Sequence, residues 1–233
     1  MKILALDSSG LVASVAVVSD DNLIGEYTIN YKKTHSQTLL PMIDEIFSMV
    51  QVKPDDVDVI AVSKGPGSFT GLRIGAATGK GIALALDKKM VAVPTLAAMA
   101  YNLYGDSRYI CPVMDARRKH LYSGIYTFDG DRLITVRDVN LESYDELAEE
   151  LAGLDGQVVL VGDGVDVAGD VLKEQLGDKC VLAPAHIKTQ RAGSVALLAK
   201  QMADNGEYTD ADELKPDYLR PSQAEREKAQ HES

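Results

Sequence analysis

Apolar residues recur along this chain with two periods, and the alternation of the two lays out most of its elements. Ile3-Leu-Ala-Leu-Asp7, a short apolar run closed by a carboxylate, predicts a buried strand. Ser8-Ser9-Gly10 turns the chain, Val12 to Val18 returns as a second strand, and Asp20-Asp21-Asn22 turns it again into Leu23 to Ile29, a three-stranded meander. Leu39, Leu40, Ile43, Ile46, Phe47 and Val50 then fall at helical spacing. A helix tolerates proline only near its start, so Pro41 places the first full turn between His35 and Leu39, with Thr34, Ser36 or Thr38 as the cap. Val57 to Val62 is the next strand, and a helix from Leu72 to Leu86 follows a Gly-Pro-Gly turn, with Ser68 or Thr70 as its cap. Met90 to Val93 is a short strand, and Thr95 caps a helix running to about Tyr104.

The opening pattern then returns. Tyr109-Ile-Cys-Pro-Val-Met-Asp115 again ends in a carboxylate, Lys119 to Phe128 comes back as a strand, and Asp129-Gly130 turns into Arg132 to Val139. Asp115 thus corresponds to Asp7. Ser143 caps a helix through about Leu151, Val158 to Val161 is a strand, Val165 to Leu176 a helix, Cys180 to Leu182 an edge strand, and Ser194 to Asn205 the last helix. The tail after Arg220 is polar and expected to be mobile. The reading is an α/β chain of two related halves, 1–105 and 106–233, around a cleft.

One helix stands apart. Gly71, Gly75, Gly79 and Ala83 recur every four residues and form one side-chain-free ridge. Each interior glycine costs about 1 kcal/mol relative to alanine, so something must offset Gly75 and Gly79, and a closely packed backbone is the expected cause. Nucleotide motifs fit this stretch poorly. Gly75 to Lys80 is one residue short of a P-loop, with Gly81 where the hydroxyl belongs. The dinucleotide fingerprint fails because Thr70 holds its last position and Gly71 comes one residue late. Anion binding by backbone N–H groups at the helix entrance stays open.

Composition narrows the classes further. Of 233 residues, 45% are hydrophobic and 25% charged, which is ordinary for a folded α/β protein. A net charge of −11 without a basic stripe argues against a chain that grips nucleic acid alone. Cys111 and Cys180 stand far apart in apolar runs and read as buried thiols rather than a zinc site or disulfide. The N-terminal apolar run is too short for a signal peptide, and no span reaches 18 apolar residues, so the expected location is the cytoplasm, with no membrane contact.

Candidate chemistry is sparse. Asp7 and Asp115, with Ser8, are placed to hold a hydrated Mg²⁺ and a nucleotide phosphate, and Gly162 and Gly164 of Val161-Gly-Asp-Gly164 to flank the nucleoside. Plain turn chemistry explains the same residues. The four histidines, at 35, 120, 186 and 231, form no i, i+4 pair, and no G-x-S-x-G occurs. A metal site and a nucleophile triad are therefore not expected.

Ser63-Lys-Gly-Pro-Gly-Ser-Phe-Thr-Gly-Leu-Arg-Ile-Gly75 resembles the signature of the bacterial TsaB (YeaZ) family. The resemblance extends to the Ile3 to Ser9 opening, His35-Ser-Gln-Thr-Leu-Leu-Pro41, Met114-Asp-Ala-Arg-Arg118 and Pro216-Asp-Tyr-Leu-Arg220. It implies an actin-like (ASKHA, ribonuclease H-like) fold and a non-catalytic partner of a TsaD-like subunit. That subunit, helped by a TsaE-like ATPase, transfers threonylcarbamoyl to N6 of the adenosine beside the tRNA anticodon. The H-x-x-x-H pair of the catalytic relatives falls at Thr95 and Met99 here, poor substitutes as ligands. The resemblance further implies that no cofactor is required by this chain, with ATP or ADP at the level of the complex. It implies a homodimer when the partner is absent, and tRNA met only through the complex. The expected interface pairs His35, Leu39, Leu40, Ile43 and Phe47 with the ridge of Gly71, Leu72, Gly75, Gly79 and Ala83. The alternatives are an actin-like ATPase or phosphotransferase acting alone, and a glycoprotease-like peptidase.

Overall fold

A computed structural model describes residues 1–31 and 33–219. The polar tail from Arg220, including His231, lies outside the described residues. The first sheet has the order β3-β2-β1-β4-β5, from β1 (Lys2–Asp7), β2 (Ala13–Ser19), β3 (Asn22–Ile29), β4 (Val59–Gly65) and β5 (Lys89–Pro94). The second has the order β10-β9-β6-β7-β8, from β6 (Tyr109–Asp115), β7 (His120–Asp129), β8 (Arg132–Ser143), β9 (Val158–Val161) and β10 (Cys180–Leu182). Read from β8, the second order repeats the first, strand for strand. The meanders pair antiparallel, while β1 with β4, β4 with β5, β6 with β9 and β9 with β10 pair parallel.

Helices complete the repeat: α1 (His35–Val50), α2 (Phe69–Leu86) and α3 (Thr95–Ala100) in one half, and α4 (Tyr144–Gly153), α5 (Val165–Leu176) and α6 (Ala192–Asp204) in the other. Because side chains alternate along a strand, β1 sends Leu4 and Leu6 toward α1 and α2, and Ile3 and Ala5 toward α6. In the second sheet Cys111 and Val113 meet α4 and α5, while Ile110 and Met114 meet α3. The two final helices are thus exchanged, each lying on the other half's sheet. Small residues Ala192, Ala196 and Ala199 bring α6 close to β1 and β2. Glu26 receives the Gly193 N–H at 2.9 Å and Ser14 Oγ that of Ala192 at 2.9 Å, so strands of the first sheet satisfy the first turn of α6. That is why α6 begins two residues before Ser194, whose hydroxyl bonds Asn102 instead.

Side-chain caps form at α2 and α4, whereas at α1 Thr34 holds the cap position without a side-chain hydrogen bond. Ser68 accepts the Gly71 N–H at 3.2 Å, and Ser143 and Glu146 form a reciprocal capping box. The cap of α3 is Pro94, not Thr95; Thr95 is buried and its Oγ1 accepts the Gly65 N–H at 3.1 Å. Helix α1 starts at His35 as expected from Pro41. Both cysteines are buried free thiols, and burial pushes the Cys111 thiol well above its usual range. No helix among the described residues is long and apolar enough to cross a membrane.

Candidate functional site

The glycine ridge of α2 is packed, as its spacing predicts, but against its own chain. A Cβ at Gly71 would collide with the Ser8 carbonyl, one at Gly75 would lie 2.5 Å from Ser8 Oγ, and one at Gly79 would lie 2.5 Å from Val62 Cγ2. Gly71, Leu72, Gly75, Gly79 and Ala83 are all buried, as are Leu39, Ile43 and Phe47 on α1. This corrects the expectation that the ridge lies bare for a second polypeptide. Its occupant is the turn after β1 together with β4. Of the expected interface residues, Leu40 is exposed (60%), and His35 is half-buried with its Nε2 donating to the Gly10 carbonyl at 2.9 Å. The outward side of the two helices carries Leu40 and Met49 on α1 and Arg73, Ala77, Gly81, Leu84 and Ala85 on α2, with open space around Gly81.

The seated ridge also decides what Asp7 does. Asp7 Oδ1 accepts the Ser9 N–H at 2.8 Å and the Ser9 hydroxyl at 2.7 Å, and Oδ2 accepts the Ser63 hydroxyl at 2.6 Å. Burial pushes its carboxyl above the usual range while these three donors pull it back. Ser8 Oγ donates to the Gly71 carbonyl at 2.9 Å, and the Ser9 carbonyl takes the Ser68 N–H at 2.6 Å. Asp7 and Ser8 are therefore structural, and Asp7 does not fit a cation shared with Asp115. Gly162 and Gly164 are likewise taken up internally: a Cβ on either would collide with the backbone of Val113 in β6. Among the described residues no group of three or more His, Cys, Asp or Glu is placed to hold a metal.

Between the halves lies a cavity of about 1150 Å³. Asp115 is the one candidate cleft residue that lines it; Asp7, Ser8, Gly162 and Gly164 do not. Asp163, between the two glycines and not among the candidate residues, also faces this space. Its carboxylate takes the Asp115 N–H at 3.4 Å, and burial, with the neighbouring Asp115 charge adding to it, pushes it up to about 6. Thr34, His35 and the Gly67–Gly71 helix entrance form the opposite wall.

One side of the cavity is closed by Asp217, Tyr218 and Leu219. The Asp217 N–H donates to the Lys64 carbonyl at 2.7 Å, and its carboxylate pairs with Lys64 at 3.2 Å. Tyr218 stacks on Phe69 with ring centroids 4.5 Å apart, and Arg73 lies 3.9 Å over the Phe69 ring while its Nε donates to the Tyr218 hydroxyl at 3.1 Å. Gly65 needs its φ of +125° here, and a Cβ would lie 2.6 Å from the Asp217 carbonyl oxygen. Asp217 to Leu219 of the motif thus strap the Gly-Pro-Gly turn; its last residue, Arg220, lies outside the described residues. Nothing local to either segment announces that pairing.

The family model described as "TsaD: tRNA N6-adenosine threonylcarbamoyltransferase" matches residues 22–228. The chain is 32% identical over 228 residues to a protein of Bacillus subtilis (strain 168) named tRNA threonylcarbamoyladenosine biosynthesis protein TsaB, covering 97% of this chain and 96% of that one. A protein of the same name from Escherichia coli (strain K12) is 31% identical over 227 residues, with 94% and 95% covered. Among solved structures, YeaZ from Pseudomonas aeruginosa matches with a TM-score of 0.81 at 28% identity, covering 94% of this chain and 99% of that chain. Component A of the (R)-2-hydroxyglutaryl-CoA dehydratase of Acidaminococcus fermentans matches with a TM-score of 0.52 at 12% identity, covering 87% and 99%, a likeness of fold alone.

Proposed function

The chain belongs to the TsaB family, and from that premise we propose that it is the non-catalytic subunit of a threonylcarbamoyl transferase complex, docking a TsaD-like subunit through the outward faces of α1 and α2. Its place in tRNA threonylcarbamoyladenosine biosynthesis rests on one observation, the match to TsaB relatives over nearly the whole chain. The fold is the actin-like one, with two mixed five-stranded sheets. The docking face is argued from exposure. Leu40 and Leu84 are 60% and 64% exposed, and side-chain-poor Ala77, Gly81 and Ala85 let another helix pair approach. A standard interface of roughly 800 Å² per partner is enough for stable association, and without the partner a second copy would take the same face. ATP or ADP, and a TsaE-like ATPase, belong to the complex, which works in the cytoplasm where tRNA is modified. The sealed carboxylate of Asp7 speaks against the rival reading of an actin-like ATPase acting alone.

The test is co-purification with a TsaD-like transferase and assay of tRNA modification. The pair should co-elute, and Leu84→Glu should abolish co-elution without lowering the melting temperature of the isolated chain. Modification of tRNA by this chain alone would overturn the non-catalytic reading, and undiminished co-elution of the variant would overturn the docking face.

A further inference from the structure

The turn between β6 and β7 contains the most unusual backbone among the described residues. Arg117, Arg118 and Lys119 follow one another at φ of +67°, +56° and +58°. For residues with a Cβ, each left-handed conformation is unfavourable, and single residues rather than runs are the rule. Such a run persists only where its surroundings over-determine it, and here they do. Asp115 Oδ1 accepts the Arg117 N–H at 2.8 Å, and its Oδ2 pairs with the Arg117 guanidinium at 3.1 Å. His120 donates its backbone N–H to the Arg117 carbonyl at 3.2 Å and its Nδ1–H to the Arg118 carbonyl at 2.8 Å. The Ala116 N–H closes the turn on the His120 carbonyl at 3.0 Å.

All three residues on this tip are basic and exposed, in a chain of net charge −11. Asp115 neutralises Arg117, whereas Arg118 and Lys119 form no ion pair among the described residues. The tip sits at the rim of the cavity, with Lys33 on the wall and also exposed. Inside, four carboxylates (Asp115, Asp163, Asp166 and Asp217) line the space together with Lys33; Asp115 pairs with Arg117, Asp166 with Lys188 and Asp217 with Lys64. The inward-facing carboxylates are thus largely paired already, whereas Arg118 and Lys119 stand unpaired on an exposed turn. Enclosure suits a small phosphate ligand; a rigid exposed cationic tip suits a phosphodiester chain running past it.

We propose that Arg118 and Lys119, held outward by the left-handed turn over Asp115 and His120, clamp the phosphate backbone of the tRNA within the complex. This rests on the subunit reading above and adds to it a direct RNA contact from this chain. Phosphate contacts of this kind are independent of base sequence and depend on salt.

The experiment measures tRNA affinity of the complex with the TsaD-like subunit across salt concentrations, comparing the natural chain with Arg118→Ala/Lys119→Ala. Losing two phosphate contacts should weaken binding roughly tenfold near 0.15 M salt and make the log–log salt slope shallower by about 1.5. Arg118→Lys should keep the slope, because a point charge suffices. Co-elution with the transferase should be unchanged. An unaltered affinity and slope overturns the proposal. So does lost co-elution, which would assign the tip to carboxylates of a protein partner. Weakened binding of free ATP with tRNA binding intact would assign it to a nucleotide phosphate and likewise overturn the RNA contact. If the natural chain fails to co-elute at all, the subunit reading falls first and takes the tip's role in that complex with it.

Discussion

The two turns that follow β1 and β6 occupy equivalent places in one repeated topology, yet they have become different devices. After β1, Asp7 turns inward to three hydroxyl and amide donors, and α2 sits directly on the turn because Gly71 and Gly75 offer no side chain. After β6, the equivalent Asp115 stays partly exposed and braces a strained basic tip. Helix α5, the counterpart of α2, carries Val165 and Ala168 where it meets its sheet. The same carboxylate at the same strand end is a buried structural brace in one half and a surface charge-holder in the other. What separates them is what each carboxylate meets: buried Ser9 and Ser63 donors for Asp7, the exposed Arg117 for Asp115.

That contrast can be broken most severely at the ridge. Gly71→Val drives a branched side chain into the Ser8 carbonyl, backbone that has nowhere to go, and should cost at least about 4 kcal/mol, lowering the melting temperature by on the order of 10 °C. Asp7→Ala comes next. It strands the Ser9 amide, the Ser9 hydroxyl and the Ser63 hydroxyl in the core, at about 3 kcal/mol, whereas Asp115→Ala, partly exposed, should cost about 1 kcal/mol; denaturant melts of both separate the two.

Asp163 gives a pH test. Its folded carboxyl is pushed up to about 6 against an ordinary value of 3.8, so between those values the folded chain holds a proton that the unfolded chain releases. Stability therefore falls as pH rises from about 4 to about 6. Asp163→Asn should remove its share of that fall and be more stable than the natural chain by about 3 kcal/mol at pH 7, with no advantage below pH 4. Asp7 is raised in the same direction and is left in place by this variant. The smallest effect belongs to Gly81→Ala on the open side of α2, where nothing lies within 4 Å. It should stabilise the isolated chain by about 1 kcal/mol, read as a small rise in melting temperature. Opposite signs at positions 71 and 81 of one helix would confirm that approach, not propensity, governs the ridge.

Strand and helix placement was legible because local chemistry specifies it. The continuous apolar run Ile3–Leu6, the capping box at Ser143 and the proline limit on α1 each act within a few residues. Thr95 misled because a threonine before a helical run also reads as a cap, and only the neighbouring strand, with its unpaired Gly65 N–H, claims its hydroxyl. The ridge was legible as close packing but not by partner, since spacing says that something approaches and not what. Asp163 was overlooked because a carboxylate in a Gly-Asp-Gly turn has an ordinary explanation until burial and Asp115 stand beside it. The positive φ run at Arg117–Lys119 carries no glycine or asparagine to signal it.

Periodicity, turn residues and the repeat of a strand-ending aspartate are properties of neighbours in the chain, so the linear order was enough to determine two matching α/β halves. Which aspartate is sealed, which glycine meets which backbone and which cations stay unpaired depend on atoms far apart in sequence, by as many as 178 residues for a hydrogen bond, brought within about 3 Å, a distance at which hydrogen bonds and steric contacts act. Only the folded arrangement decides those.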